Sequence, residues 1–415
     1  MNEQQFFSDL SALVAIPSLT GEAAPCREAL EFVLSRAREM GMRTGITREG
    51  DAGWAEIGEG GVTLGILAHV DVVGIGDRTK WHSDPFTLTE RAGVFYGRGV
   101  EDDKGPVLQC LHAMHTLLLE GVPLRKRIRL IVGTGEESEW TDMEHYQAQF
   151  GLPDYGFSPD AAFPVYNAEK GYADIRLIFP APELAELSAG DSPNTVPSFA
   201  YLRRTDGTEL SARGVSVHSS APEKGDNAIL RLAALTGDAP LWRFLRAYFT
   251  ASAPAVALGL DDGGDTCRGV YVGPTVCAPT VLSLEDGCAA VNINVRFRPG
   301  VSCDQLVAAL ARLAPGYGFR VAVDSTIAPM MVEPDRPFIR LMNEVGTAHG
   351  IAPGCLPASG ATYCSAFPNH VGWGPTLPPD EGSAHEENEH TSRADLLRVA
   401  EVYTDFLRRS AQEEA

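Results

Sequence analysis

The stretches VTLGILA (Val62–Ala68), PVLQCLHAMHTLLLE (Pro106–Glu120) and RLIV (Arg129–Val132) decide the fold. The first is a short apolar run, the pattern of a buried strand, and the third reads as the next strand, ending at a Gly-Thr-Gly turn. The second carries Val107, Leu108, Leu111, Met114 and Leu118 at helical spacing, with a proline where a first turn tolerates one. Strand, helix, strand in that order is the unit of a largely parallel α/β sheet flanked by helices.

Working outward, Cys26–Met40 places Leu30, Val33, Leu34 and Ala37 on one helical face. From Gly171 the period changes: Ala173, Ile175, Leu177 and Phe179 alternate with Asp174 and Arg176, and the alternation returns at Val291, Ile293, Val295 and Phe297. Helical patterns at 227–235, 241–249 and 304–313 lie among these strands, so the middle of the chain reads as a separate α+β domain. After Pro334 the chain resumes helix, loop and helix, closing on Leu396, Leu397, Ala400, Tyr403 and Leu407 behind a capping box of Ser392 and Asp395. With 415 residues exceeding what one core usually holds, the expected organisation is a catalytic domain in two pieces, 1–168 and 333–415, with an inserted domain at 169–332.

The net charge of -21 opposes binding to phosphate backbones or anionic lipid, which argues against nucleic-acid and membrane partners. No segment pairs a basic stretch with a signal-like apolar run or has the length to span a bilayer, so the expected location is cytoplasmic. The eight cysteines stand singly without a CxxC pair, which disfavours a thiolate-ligated metal and a disulfide framework.

Three segments carry chemistry. His69-Val-Asp71 follows the first strand, at the end where open α/β sheets place ligands, and Asp71 suits the role of orienting a metal-binding imidazole. Gly97-Arg-Gly-Val-Glu-Asp102-Asp103-Lys-Gly-Pro106 crowds three consecutive carboxylates before a helix; a cation explains the crowding, and a solvated capping loop is the plainer alternative. Gly133-Thr-Gly-Glu136-Glu137 ends the other strand, and adjacent side chains point apart. One glutamate is thus able to ligate a metal while the other takes a proton from water.

Together these segments resemble the di-zinc metallopeptidase family of carboxypeptidase G, aminoacylase and succinyl-diaminopimelate desuccinylase, and within it the bacterial dipeptidase V branch. The shared stretches are His69-Val-Asp-Val-Val, Trp81 with Asp84-Pro-Phe86, Gly97-Arg-Gly99, Asp102-Asp-Lys-Gly-Pro106, Gly135-Glu-Glu-Ser138, Phe157-Ser-Pro-Asp160, Asn167-Ala-Glu-Lys-Gly171 and His385-Glu-Glu-Asn-Glu389. The resemblance implies a zinc-peptidase catalytic domain with an inserted lid. It implies two Zn2+ ions, with Mn2+ or Co2+ as alternatives: His69 and Asp160 on one, Glu137 and His385 on the other, and Asp102 bridging. Asp71 would orient His69, Glu136 would serve as general base toward a zinc-activated water, and the bond from Asp102 to Asp103 would be cis. In the lid, His218, Asn194 and Arg296 would meet the substrate, with Arg298 as the alternative cation, and Gly360 would do so from the segment Gly360-Ala-Thr-Tyr-Cys-Ser365. Gly74 and Ser365 depart from that branch, which has proline and arginine there.

The expected activity is hydrolysis of dipeptides. The alternatives are deacylation of N-acyl amino acids and, in a different class, a noncatalytic metal-dependent binding protein. A serine nucleophile at Ser219 lacks the Gly-x-Ser-x-Gly elbow. The resemblance favours a monomer over a homodimer. His82, His112, His115, His145, His349, His370 and His390 receive no task.

Overall fold

A computed structural model describes residues 1–380 and 382–412. The chain divides into two compact units, one of 1–167, 332–356 and 362–415, the other of 168–331 and 357–361.

The sheet of the first unit contains, in order, Arg43–Ile46, Ala52–Ile57, Arg127–Gly133, Thr63–His69, Tyr155–Ser158 and His370–Gly372. Its central strands are parallel: Thr63–His69 pairs with Arg127–Gly133, placing His69 opposite Gly133, and pairs on its other side with Tyr155–Ser158. His370–Gly372 continues the parallel run. Thr63–His69 is buried at every residue, which is why its sequence is a continuous apolar run. The helix Lys104–Leu119 begins two residues before Pro106, keeping the proline in the first turn. It packs against Arg393–Gln412, where Gln109 donates to the Leu396 carbonyl at 2.9 Å.

The two antiparallel edge strands, Arg43–Ile46 and Ala52–Ile57, have no counterpart in the periodicity. Glycines replace the alternating side chains there: a Cβ on Gly45 would lie 2.5 Å from the Trp54 indole nitrogen, so the strand must leave that position empty. At the last helix Asp395 accepts from the Ser392 hydroxyl at 2.5 Å, while the Asp395 N–H donates to that oxygen at 2.9 Å. The shorter aspartate thus closes the cap through the serine side chain, instead of the backbone N–H that a glutamate would reach.

In the second unit Glu209–Arg213, Phe199–Arg204, Leu184–Ala189, Val276–Glu285, Cys288–Phe297, Gly171–Pro180 and Arg320–Ile327 form one antiparallel sheet in that order. Ala173, Ile175, Leu177 and Phe179 pack with Val291, Ile293, Val295 and Phe297 under the helices Ala228–Leu235, Pro240–Phe249 and Cys303–Tyr317. Asp174, placed by its period on the polar face, is nevertheless buried. Asn292 and Asn294 donate to its Oδ1 at 3.1 and 3.0 Å, so the buried carboxylate has amide partners across the sheet. The segment Pro357–Ala361 groups with this unit instead of the first. Lys170 donates its N–H to the Ala358 carbonyl at 3.3 Å, and the strand Cys355–Ala358 pairs with Val165–Glu169.

The aromatic cluster of Phe157, Phe163, Trp373, Tyr403 and Phe406 joins the sheet of the first unit to its last helix. Phe157 is wholly buried and touches three of these rings, so Phe157→Ala is expected to destabilise the fold by about 3–5 kcal/mol. The denaturant midpoint of that variant checks the value.

Candidate metal centre

Three parallel strands end side by side, and each hands a ligand-type side chain to the same edge. Thr63–His69 closes on His69, Arg127–Gly133 leads into Glu136 and Glu137, and Tyr155–Ser158 leads through Pro159 to Asp160. Asp102 comes from the turn preceding Lys104–Leu119, and His385 from the loop before Arg393–Gln412. The peptide between Asp102 and Asp103 is cis.

The imidazoles lie on either side of one carboxylate. His69 Nε2 is 3.0 Å from Asp102 Oδ1, and His385 Nε2 is 3.0 Å from Asp102 Oδ2. His69 Nε2 is also 3.7 Å from Asp160, and His385 Nε2 is 2.8 Å from Glu137. Two groups of possible ligand atoms result: His69, Glu136 and Asp160 in one, Asp102, Glu137 and His385 in the other, each with its atoms within 4.8 Å. A further group of this kind, Glu49, Asp51 and His145, lies apart; there His145 Nδ1 meets Asp51 at 2.6 Å.

Burial sets the electrostatics. It pushes the Glu136 carboxyl well up, and Asp160, Glu137 and Asp102 add to the rise. Asp160 and Glu137 are raised, first by burial. Hydrogen bonds to Asp102 and Glu137 hold the His385 imidazole up at about 11. Burial opposes charge on His69, yet its bonds to Asp102, Asp160 and Asp71 prevail and raise it. The buried atoms His69 Nε2, Asp102 Oδ1 and Glu136 Oε1 have no well-formed hydrogen bond. Orphaned donor-capable nitrogen and carboxylate oxygens facing one another, without thiolate, are what a pair of divalent cations fits.

Asp71 meets His69 through its backbone. His69 Nδ1 donates to the Asp71 backbone carbonyl at 2.9 Å, while the carboxylate stands 3.4 Å away. That carboxylate accepts the Glu136 and Glu137 N–H groups, both at 3.2 Å, and the Thr20 hydroxyl at 3.0 Å. Asp71 therefore fixes the imidazole with its backbone and the glutamate turn with its side chain. The sequence reading also passed over Asp142 and Tyr363. Asp142 Oδ2 accepts the N–H groups of Thr134 and Gly135 at 2.7 and 2.9 Å, and takes the Tyr363 hydroxyl at 2.5 Å. Acidic residues in a first helical turn are too common to reveal such a partner 221 residues away.

In the second unit Arg296 donates to Asn194 Oδ1 at 3.1 Å and lies over the Tyr172 ring at 4.6 Å. Arg298 is committed elsewhere, to Asp261 at 2.9 Å and Asp262 at 2.7 Å. His218 Nδ1 lies 2.7 Å from the Ser220 hydroxyl and 3.2 Å from the Ser220 backbone nitrogen. Gly360 is exposed, and a Cβ there would meet nothing within 4 Å. Among the unassigned histidines, His112 is buried against Asp9 at 2.9 Å, and His370 is buried with Nδ1 donating to the Pro368 carbonyl at 2.7 Å.

Residues 65–409 match Peptidase family M20/M25/M40, and the chain belongs to this family; it is a metallopeptidase. It is 31% identical over 435 residues to the Bacillus subtilis protein YtjP, named provisionally as a dipeptidase, covering 93% of this chain and 92% of that one. Its fold is that of the M20 family metallo-carboxypeptidase Sso-CP2 from Sulfolobus solfataricus, with TM-score 0.67 at 16% identity over 97% of this chain and 98% of that one. The aminoacylhistidine dipeptidase from Vibrio alginolyticus gives TM-score 0.67 at 13% identity over 99% and 97%. Among the described residues no helix is long and apolar enough to cross a membrane.

Because His385 in the metal-free chain keeps its proton up to about pH 11, a cation that takes its lone pair must displace that proton. Metal uptake at neutral pH is therefore expected to release protons, and affinity to weaken as pH falls. Calorimetric titration in buffers of different ionisation enthalpy measures both.

Proposed function

We propose that this chain is a dipeptidase that hydrolyses its substrate at a pair of divalent ions, zinc in our reading, with Glu136 as general base. The observation that carries the proposal is Asp102, whose two oxygens each stand 3.0 Å from a different imidazole, the arrangement of a carboxylate shared between two cations. His69 and Asp160 would hold one ion, and Glu137 and His385 the other. Bound there, the ions supply Lewis acidity toward water and the scissile carbonyl.

The chain's own residues do the rest. Glu136 Oε1, buried and without a hydrogen bond, accepts the proton of the attacking water and returns it to the leaving amine nitrogen. The raised affinity of Glu136 for a proton, a result of burial first, suits that exchange. Asp71 keeps His69 Nε2 turned toward the carboxylates, and its side chain holds the backbone from which Glu136 projects. Arg296, steadied by Asn194, would bind the substrate carboxylate, and His218 would donate to the developing oxyanion. Gly360, with open space where a side chain would stand, would let substrate backbone approach. A small free dipeptide is the substrate, and a cytoplasmic monomer is the form in which we expect the enzyme to work.

Glu136→Gln is expected to lower kcat toward dipeptides by about 10²–10⁴-fold with both ions retained. Full turnover by that variant would remove the assigned base. Arg296→Ala should act mainly on KM, and a panel pairing free dipeptides with N-acyl amino acids separates peptidase from deacylase. Preference for the acylated member would transfer the assignment to amino acid deacylation, and binding without turnover under every divalent metal would make the protein a binding module.

A further inference from the structure

Two glutamates beside the ligands contact neither imidazole, yet both are buried. Glu389 follows His385 by four residues and points at the turn that carries Asp102. Its Oε1 accepts the N–H groups of Glu101 and Asp102 at 2.8 and 3.1 Å. Its Oε2 accepts the Gly99 N–H at 3.0 Å and the Arg98 guanidinium at 2.8 Å. Glu101 precedes Asp102 and points the opposite way, at the turn that leads to His385. Its Oε2 accepts the Ser383 N–H at 2.6 Å and hydroxyl at 2.9 Å, and its Oε1 takes the Thr376 hydroxyl at 2.8 Å. Ser383 Oγ also accepts the His390 N–H at 2.8 Å, closing the loop around His385.

Each loop thus supplies a buried carboxylate that fixes the backbone of the other. Such fixing is needed at both ends. Asp102 has to keep each oxygen toward a different partner, and His385 holds φ at +66°, a left-handed conformation that a non-glycine residue keeps only under outside constraint. The bonds of Glu389 include the N–H of Asp102 itself, and those of Glu101 reach a turn two residues before His385, so they act on the ligands and not on the apolar core.

We infer that Glu101 and Glu389 form a reciprocal clamp that sets the separation of Asp102 and His385, and with it the affinity of the ion position that these two ligands share. They are positioning residues; neither ligates nor touches substrate. The inference rests on the two-ion reading above.

The test uses the full chain and Zn2+ as probe. Wild type, Glu389→Gln and Ser383→Ala are titrated against a chelator for stoichiometry and affinity, and assayed for kcat and KM, with circular dichroism and thermal midpoints recorded on the metal-free proteins. In Glu389→Gln one oxygen becomes an NH2 group that faces donors whichever way the amide turns, so two of four bonds are lost. We expect the weaker-bound ion to lose about 10–100-fold in affinity and kcat to fall while KM stays within about twofold. Ser383→Ala, which removes a hydroxyl without changing charge, should shift affinity in the same sense by less, with an unchanged fold. Two ions held at wild-type affinity in both variants overturn the clamp and leave the two-ion reading intact. Fewer than two ions on the wild type overturn that reading and the clamp with it. If Glu389→Gln fails to fold, the affinity in Ser383→Ala decides alone.

Discussion

Carboxylates gathered at a buried edge repel one another unless positive charge stands among them. Here Asp102, Glu136, Glu137 and Asp160 meet around two imidazoles. Burial raises the proton affinity of three of the four, while Asp102, with an imidazole 3.0 Å from each oxygen, is held low despite burial. Everything around the centre answers to that repulsion. Parallel strands bring the groups to one edge, and backbone amides bond to Asp71, Asp142 and Glu389. A fold that positions acids by hydrogen-bonding other acids is well suited to a cation and poorly suited to its absence.

Much of this was legible beforehand where the signal is local. A strand buried on both faces must be largely apolar, so Thr63–His69 announced itself; Arg127–Gly133 did so through its apolar end from Leu130, and the helix between them through its period. The candidate ligand residues stand at or near the ends of those elements, and the family resemblance joined them across the chain. Edge strands built on glycine gave no period to read, and most strands of the second unit escaped for the same reason of weak or interrupted alternation. Long-range polar pairs were beyond the reach of spacing. Asp142 with Tyr363 and Arg98 with Glu389 each join residues more than 200 positions apart, and no composition rule couples them.

The second unit shows how a local pattern can be right and its meaning incomplete. Arg296 lies in the strand Cys288–Phe297 and Arg298 just past its end, and their surroundings separate them. Arg298 is consumed by Asp261 and Asp262, whereas Arg296 rests on Tyr172 beside a neutral amide. An arginine neutralised by two aspartates has little left to offer a carboxylate, and one stacked on a phenol ring keeps its charge available.

The first unit is assembled from sequence segments that flank the second. On a ribosome, His69, Asp102, Glu136, Glu137 and Asp160 emerge long before His385 and Glu389, with the whole inserted unit translated in between. The nascent chain consequently carries an acid-rich edge that lacks its second imidazole until the inserted unit has been translated.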